Sequence, residues 1–78
     1  MESTTARTVD AKGLNCPIPI LRAKKAIVGI DVGEVLEVLA TDPGSVKDFA
    51  ALCRATGHEL VESTEDGGVF RFLVKKTK

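Results

Sequence analysis

The sequence predicts an α/β two-layer sandwich of the α+β kind, ordered βαβαββ, with four strands in one mixed sheet and both helices on one face. Three observations carry that prediction. Apolar residues recur at helical spacing in two segments, over residues 17–28 and 45–56. Each segment follows a strand-like stretch, short and weakly apolar before the first and strongly alternating before the second. Near the C-terminus, Glu65-Asp66-Gly67-Gly68 separates two more strand-like stretches, as a hairpin turn does. Each helix has one apolar stripe, which a single sheet face can cover.

Taken in order, residues 1–6 are small and polar and are expected to fray, within one domain spanning 1–78. Residues 8–11 form a short, weakly apolar strand suited to a sheet edge. The first helix is expected over 17–28, with Gly29 after it as terminator. Ile20, Ala23 and Ile27 give its buried stripe, and Ile30 follows. Residues 30–33 turn into a strand over 34–41. There Leu36, Val38 and Ala40 face one way and Val35, Glu37 and Leu39 the other, which marks an interior strand.

Asp42-Pro43-Gly44-Ser45 stops that strand, and the second helix runs to Thr56 before Gly57. Ser45 and Asp48 have the spacing of a capping box, with Asp in place of Glu or Gln. Val46, Phe49, Ala50 and Cys53 form its stripe. Cys53 is therefore expected in the core, as a small hydrophobe rather than a resolving partner for Cys16. The glutamate-rich stretch 59–64 suits an edge strand. The last strand, 69–75, turns Phe70, Phe72 and Val74 inward and Arg71 and Lys75 outward. A right-handed crossover makes the first two strands parallel, and the more apolar last strand belongs beside the second. The predicted strand order is 1-2-4-3. Residue 16 and Asp42-Pro43 then share one rim of the domain.

Composition excludes several functions. Eleven basic and eleven acidic residues balance, and three Phe are the only aromatics, so neither a basic field nor stacking platforms favour nucleic acid. No apolar run approaches the ~20 residues of a membrane span. The N-terminus lacks an apolar signal core, so a cytoplasmic protein is expected. One His and two Cys without a Cys-x-x-Cys pair offer too few ligands for a zinc site, and no metal or cofactor is expected. His58, in the turn after the second helix, is expected at the surface rather than as a base.

The chemistry concentrates in Gly13-Leu14-Asn15-Cys16-Pro17-Ile18-Pro19. Proline suits a first helical turn, where its missing N–H would be orphaned anyway. With Cys16 as N-cap and Pro17 as first helical residue, the helix dipole favours a thiolate over a thiol that ordinarily titrates near pH ~8.5. The prolines leave the Ile18 N–H as the local donor, and Gly13 lets the loop adopt a positive φ or a close approach. No base, phosphate loop or second nearby cysteine accompanies Cys16. That disfavours a hydrolase, an acyltransferase or a dithiol oxidoreductase and suits a carrier.

Leu14-x-Cys16-Pro17-x-Pro19, with Asp42-Pro43 at the second helix and Phe70-x-Phe72 in the last strand, resembles the TusA/SirA family of small sulfur-carrier proteins over residues 9–75. The resemblance implies that Cys16 holds a persulfide, receives sulfur from a cysteine desulfurase or rhodanese-type donor and passes it to a relay acceptor. It implies outlets in tRNA thiolation, molybdenum cofactor chemistry or sulfur oxidation. Gly13, Leu14, Pro17, Ile18, Pro19, Asp42 and Pro43 would support that site. Family members have also been given regulatory roles, so a binding module using the same rim is the alternative.

Three features stay open at this level. Arg22, Lys24 and Lys25 are either a solvated face or a basic collar for an acidic partner. Asp42 opposes a nearby thiolate, unless it caps the second helix or meets a partner's cation. Val35, Leu39, Val61 and Leu73 are either scattered surface residues or an apolar patch on the uncovered sheet face, where a partner or second copy docks. A monomer or weak dimer is expected.

Overall fold

The computed structural model describes residues 5–15 and 17–78. Its elements are β1 (Thr5–Ala11), α1 (Ile18–Val28), β2 (Val35–Ala40), α2 (Ser45–Thr56), β3 (Glu59–Asp66) and β4 (Val69–Lys75). The sheet order is β1-β2-β4-β3, with β1 parallel to β2 and the other two pairings antiparallel. Architecture and strand order are those expected from the sequence.

Both helices cover the sheet face carrying Leu36, Val38, Ala40, Phe72 and Val74. The centre is a stack of Phe49 on Phe72, ring centroids 4.5 Å apart, with Phe70 beyond it. Stacked rings add about 0.5–1.5 kcal/mol beyond their area burial, a large share in so small a core. Cys53 is buried in this cluster, as its place on the stripe requires. Burial pushes its thiol above the ordinary value, so the sulfur stays protonated.

Several local expectations change. β1 begins at Thr5, so Thr5 and Ala6 extend the strand instead of fraying; Thr5 pairs with Val35. Residues 1–4 lie outside the described residues. α1 begins at Ile18, one residue later than expected, and Pro17 rather than Cys16 is its cap residue; Cys16 itself lies outside the described residues. The buried line of α1 is Pro19, Ala23 and Ala26, continued by Ile30, while Ile20 and Ile27 are half-buried on the side facing α2. Small residues bring α1 down onto the sheet, and the isoleucines flank that contact.

In α2 the stripe is Ser45, Phe49 and Cys53, while Val46 is 40% exposed. Gly44 is the cap residue, and no side chain caps the helix. The Ser45–Asp48 capping box therefore does not form. Ser45 lies inside the first turn, facing the core, and its Oγ is buried with no hydrogen-bond partner. At the other end Gly57 closes the helix at φ +83°, its N–H donating to the Cys53 carbonyl at 2.9 Å.

The hairpin turn is shorter than expected. Only Gly67 and Gly68 form the loop, with φ of +60° and +87°, and Asp66 pairs with Val69. Positive φ at both positions is the type I′ turn, which glycine enters without strain, so Glu65 and Asp66 are left in the strand.

The sheet face without helices is not an open apolar patch. Val35 and Leu73 are buried, at 6% and 4% exposure, and Leu39 is half-buried; Val61 alone of the four is exposed. A polar ladder across all four strands explains much of this. Thr8 Oγ1 donates to Glu37 Oε1 at 2.9 Å, Arg71 pairs with Glu37, and Arg71 Nη1 reaches Glu62 Oε2 at 3.3 Å. Glu37 and Glu62 flank Leu73 in register, so the guanidinium that joins them covers it.

The hydrogen bonds from Arg71 and Thr8 hold the Glu37 carboxyl below its ordinary value of 4.5. The fold prefers the ionised form, so this stabilisation is complete above 4.5 and is lost as the pH falls through the lowered value. Glu37→Gln should cost about 0.5–1 kcal/mol at pH 6 in urea unfolding, the pair being partly exposed. That difference should narrow steadily as the pH is taken towards 3. A capping serine would lose about 1 kcal/mol on conversion to alanine. Ser45→Ala instead removes a buried, unpaired hydroxyl and should raise stability by about 1 kcal/mol in the same measurement.

Candidate functional site

The site forms where the parallel strands β1 and β2 end together. Ala11 and Ala40 pair in register, both fully buried, and the chain leaves each towards a helix above the same sheet face. After Ala11 the loop folds over the end of β2. The Lys12 amide donates to Asp10 Oδ1 at 3.0 Å and the Leu14 amide to the Ala11 carbonyl at 3.2 Å. Gly13 adopts φ +81°, and its amide donates to Thr41 Oγ1 at 2.9 Å. That bond ties the loop after β1 to the residue that follows β2. An L side chain at Gly13 would meet no neighbour but would be strained by the backbone itself.

Asn15 and Pro17, the chain neighbours of Cys16, are exposed. Cys16 itself lies outside the described residues. The Ile18 amide donates to the Asn15 carbonyl at 2.9 Å, closing a turn, and the Leu21 amide donates to the Pro17 carbonyl at 3.0 Å. The Ile18 N–H, expected to be an available donor, is thus already engaged. Pro17 is exposed while Pro19 packs into the core. The first proline shapes the surface and the second anchors the helix. No acidic residue occupies the first turn of α1, so nothing on the helix opposes its dipole there.

Asp42 stands at the second helix start. Its Oδ1 accepts from the Gly44 amide at 3.0 Å and its carbonyl from the Ser45 amide at 2.9 Å. Asp42 thus acts as a turn residue that bonds the cap residue Gly44 ahead of α2, and it does not itself cap the helix. Pro43 beside it is exposed. The rim also carries apolar surface: Ile18 is 40% and Leu21 54% exposed. Sequence reading missed Leu21 and Thr41. Leu21 was visible as an apolar residue off the buried stripe, but Thr41 had no signal beyond its place at a strand end.

The three basic residues of α1 do not form one collar. Arg22 and Lys25 line a groove against β1 together with Arg7 and Asp10. Lys24 lies on the opposite flank, among α2 residues that include Asp48 and Leu52. His58 follows the far end of α2, about 18 Å of helix from the rim, and its Nδ1 accepts from the Thr77 amide at 3.2 Å. It takes no part in the site. Among the described residues no cluster of three metal-ligating side chains occurs, and no helix is long and apolar enough to cross a membrane.

Comparison with known proteins agrees with this geometry. The family model described as sulfurtransferase TusA matches residues 7–76. The chain is 62% identical over 69 residues to the sulfur carrier protein TusA of Allochromatium vinosum, covering 88% of this chain and 91% of that one. It is 37% identical over 73 residues to the sulfur carrier protein TusA of Pseudomonas putida, covering 94% and 91%. Among solved structures it is similar to the SirA-like protein of Desulfitobacterium hafniense, with TM-score 0.80 and 31% identity over 92% of this chain and 99% of that one. Motif, strand order and near full-length similarity agree, and the chain belongs to the TusA sulfurtransferase family.

Proposed function

We propose that this protein is a cytoplasmic sulfur carrier that holds a persulfide on Cys16 and relays its terminal sulfur between two partner proteins. The observation that carries the reading is the Cys-Pro-x-Pro motif at a helix start, between exposed neighbours, in a chain 62% identical to a sulfur carrier. A carrier needs a thiolate that is accessible at both transfers and a surface that two partners can dock on in turn. The unopposed start of α1 favours the thiolate, and Pro17, Ile18 and Leu21 provide apolar surface beside it.

In loading, the Cys16 thiolate attacks the terminal sulfur of a donor persulfide. The new S–S bond forms as the donor's S–S bond breaks, and the donor cysteine leaves as thiolate. In unloading, an acceptor thiolate attacks the same terminal sulfur and Cys16 leaves as thiolate. Each step exchanges one S–S bond for another, so no oxidant, reductant or metal is consumed. The donor is a cysteine desulfurase or rhodanese-type protein and the acceptor another relay protein. Outlets in tRNA thiolation, molybdenum cofactor chemistry or sulfur oxidation fit this exchange equally.

The supporting residues have distinct tasks. Gly13 and Thr41 hold the loop, Leu14 and Pro19 seat it, and Asp42-Pro43 shape the neighbouring turn. Arg22 and Lys25 are the basic residues placed to steer an acidic partner, an effect on association rate that salt would screen.

Incubation with a cysteine desulfurase and sulfur-labelled cysteine should load one sulfur on the wild-type chain, read as intact mass, and none on Cys16→Ser. Label retained by Cys16→Ser would end the carrier reading. Cys53→Ser should load like wild type, since the buried thiol takes no part. If Cys16→Ser kept both partner binding and the cellular phenotype, the rim would be a binding or regulatory surface instead.

A further inference from the structure

A second recess lies well away from the motif rim, between the C-terminal halves of α1 and α2. It holds about 280 Å³ of free volume, just under the ~300 Å³ at which drug-sized ligand pockets begin. Leu36 and Val74, fully buried sheet residues, form its floor, and Ala23, Ile27 and Leu52 stand along its sides. Its margin includes Lys24, His58 and Val28, the last 76% exposed at the final position of α1. A chain this small gains its stability from a limited apolar area, and unfilled apolar volume is a stabilisation forgone.

The ionisable side chains that line it carry no negative charge. No Asp or Glu lines the recess, whereas Lys24 brings an ammonium group. His58 Nδ1 accepts from the Thr77 amide at 3.2 Å, which leaves Nε2 as the ring nitrogen that carries the proton and donates. An apolar interior with a cation and an N–H donor at its margin recognises an apolar body ending in an anion. At roughly 30 Å³ for each water displaced, the volume corresponds to about nine waters, or a body of about eight carbons.

We propose that the α1–α2 recess binds a small amphiphilic monocarboxylate, its chain or ring over Leu36 and Val74 and its carboxylate at Lys24 and His58. The site is independent of Cys16 and does not rest on the sulfur-relay reading.

Amide chemical shifts of the full chain, titrated with octanoate below its micelle concentration, test this. Octanoate should give saturable shifts concentrated in residues 23–28, 52–58 and around Leu36 and Val74. Octanol, with the same chain and no charge, should bind at least three-fold more weakly, and acetate should give no saturable shift. Lys24→Gln removes the cation, and Val28→Glu sets a like charge at an exposed position; each should weaken octanoate at least three-fold without touching the core. Shifts spread over the whole domain, octanol binding as well as octanoate, or both variants behaving as wild type would overturn the proposal.

Discussion

The parallel pairing of β1 with β2 is the constraint on which the rest of the molecule depends. Parallel neighbours cannot be joined by a tight turn, so the chain crosses over through α1, and the crossover is right-handed. Both strands therefore point to one rim, and both helices start there. The last pair in the register, Ala11 with Ala40, is small and buried, which lets the following loop lie across the end of β2 and bond to Thr41. Motif loop, Asp42 turn and two helix N-termini meet because of that one pairing, although they lie far apart in sequence.

The two faces of the sheet are covered by different means. On one face the phenylalanine stack and two helices exclude water. On the other no described element forms a second layer, and Thr8, Glu37, Arg71 and Glu62 bridge the four strands over apolar residues. Each contact in such a ladder is weak alone, but Arg71 serves two carboxylates at once, and its stem contributes cover as well as charge. The face is thus covered without presenting an open apolar patch.

The alanine-rich packing of α1 gives the fold both close contact and open space. Ala23 and Ala26 let the helix approach the sheet, while the half-buried Ile27 borders a recess towards α2. A core built from larger residues would have closed that recess and moved α1, and with it the rim. The same economy explains Ser45, where a buried hydroxyl without a partner is tolerated at a position the core needs filled by something small.

Element order, helix and strand type, the strand order 1-2-4-3 and the site motif were all determined by the sequence alone. Periodicity and turn residues act over a few positions, and the handedness of a crossover then leaves little choice. What only the tertiary structure decided depends on groups distant along the chain. The Gly13–Thr41 bond, the burial of Leu73 under Arg71 and the division of Arg22 and Lys25 from Lys24 belong to this class. So does the exposure of Leu21, which helical spacing marks as lying off the stripe but cannot assign to the rim. Local spacing tells a residue which face of its own element it occupies. Which neighbour covers that face is set by pairings between strands that the chain brings together only on folding.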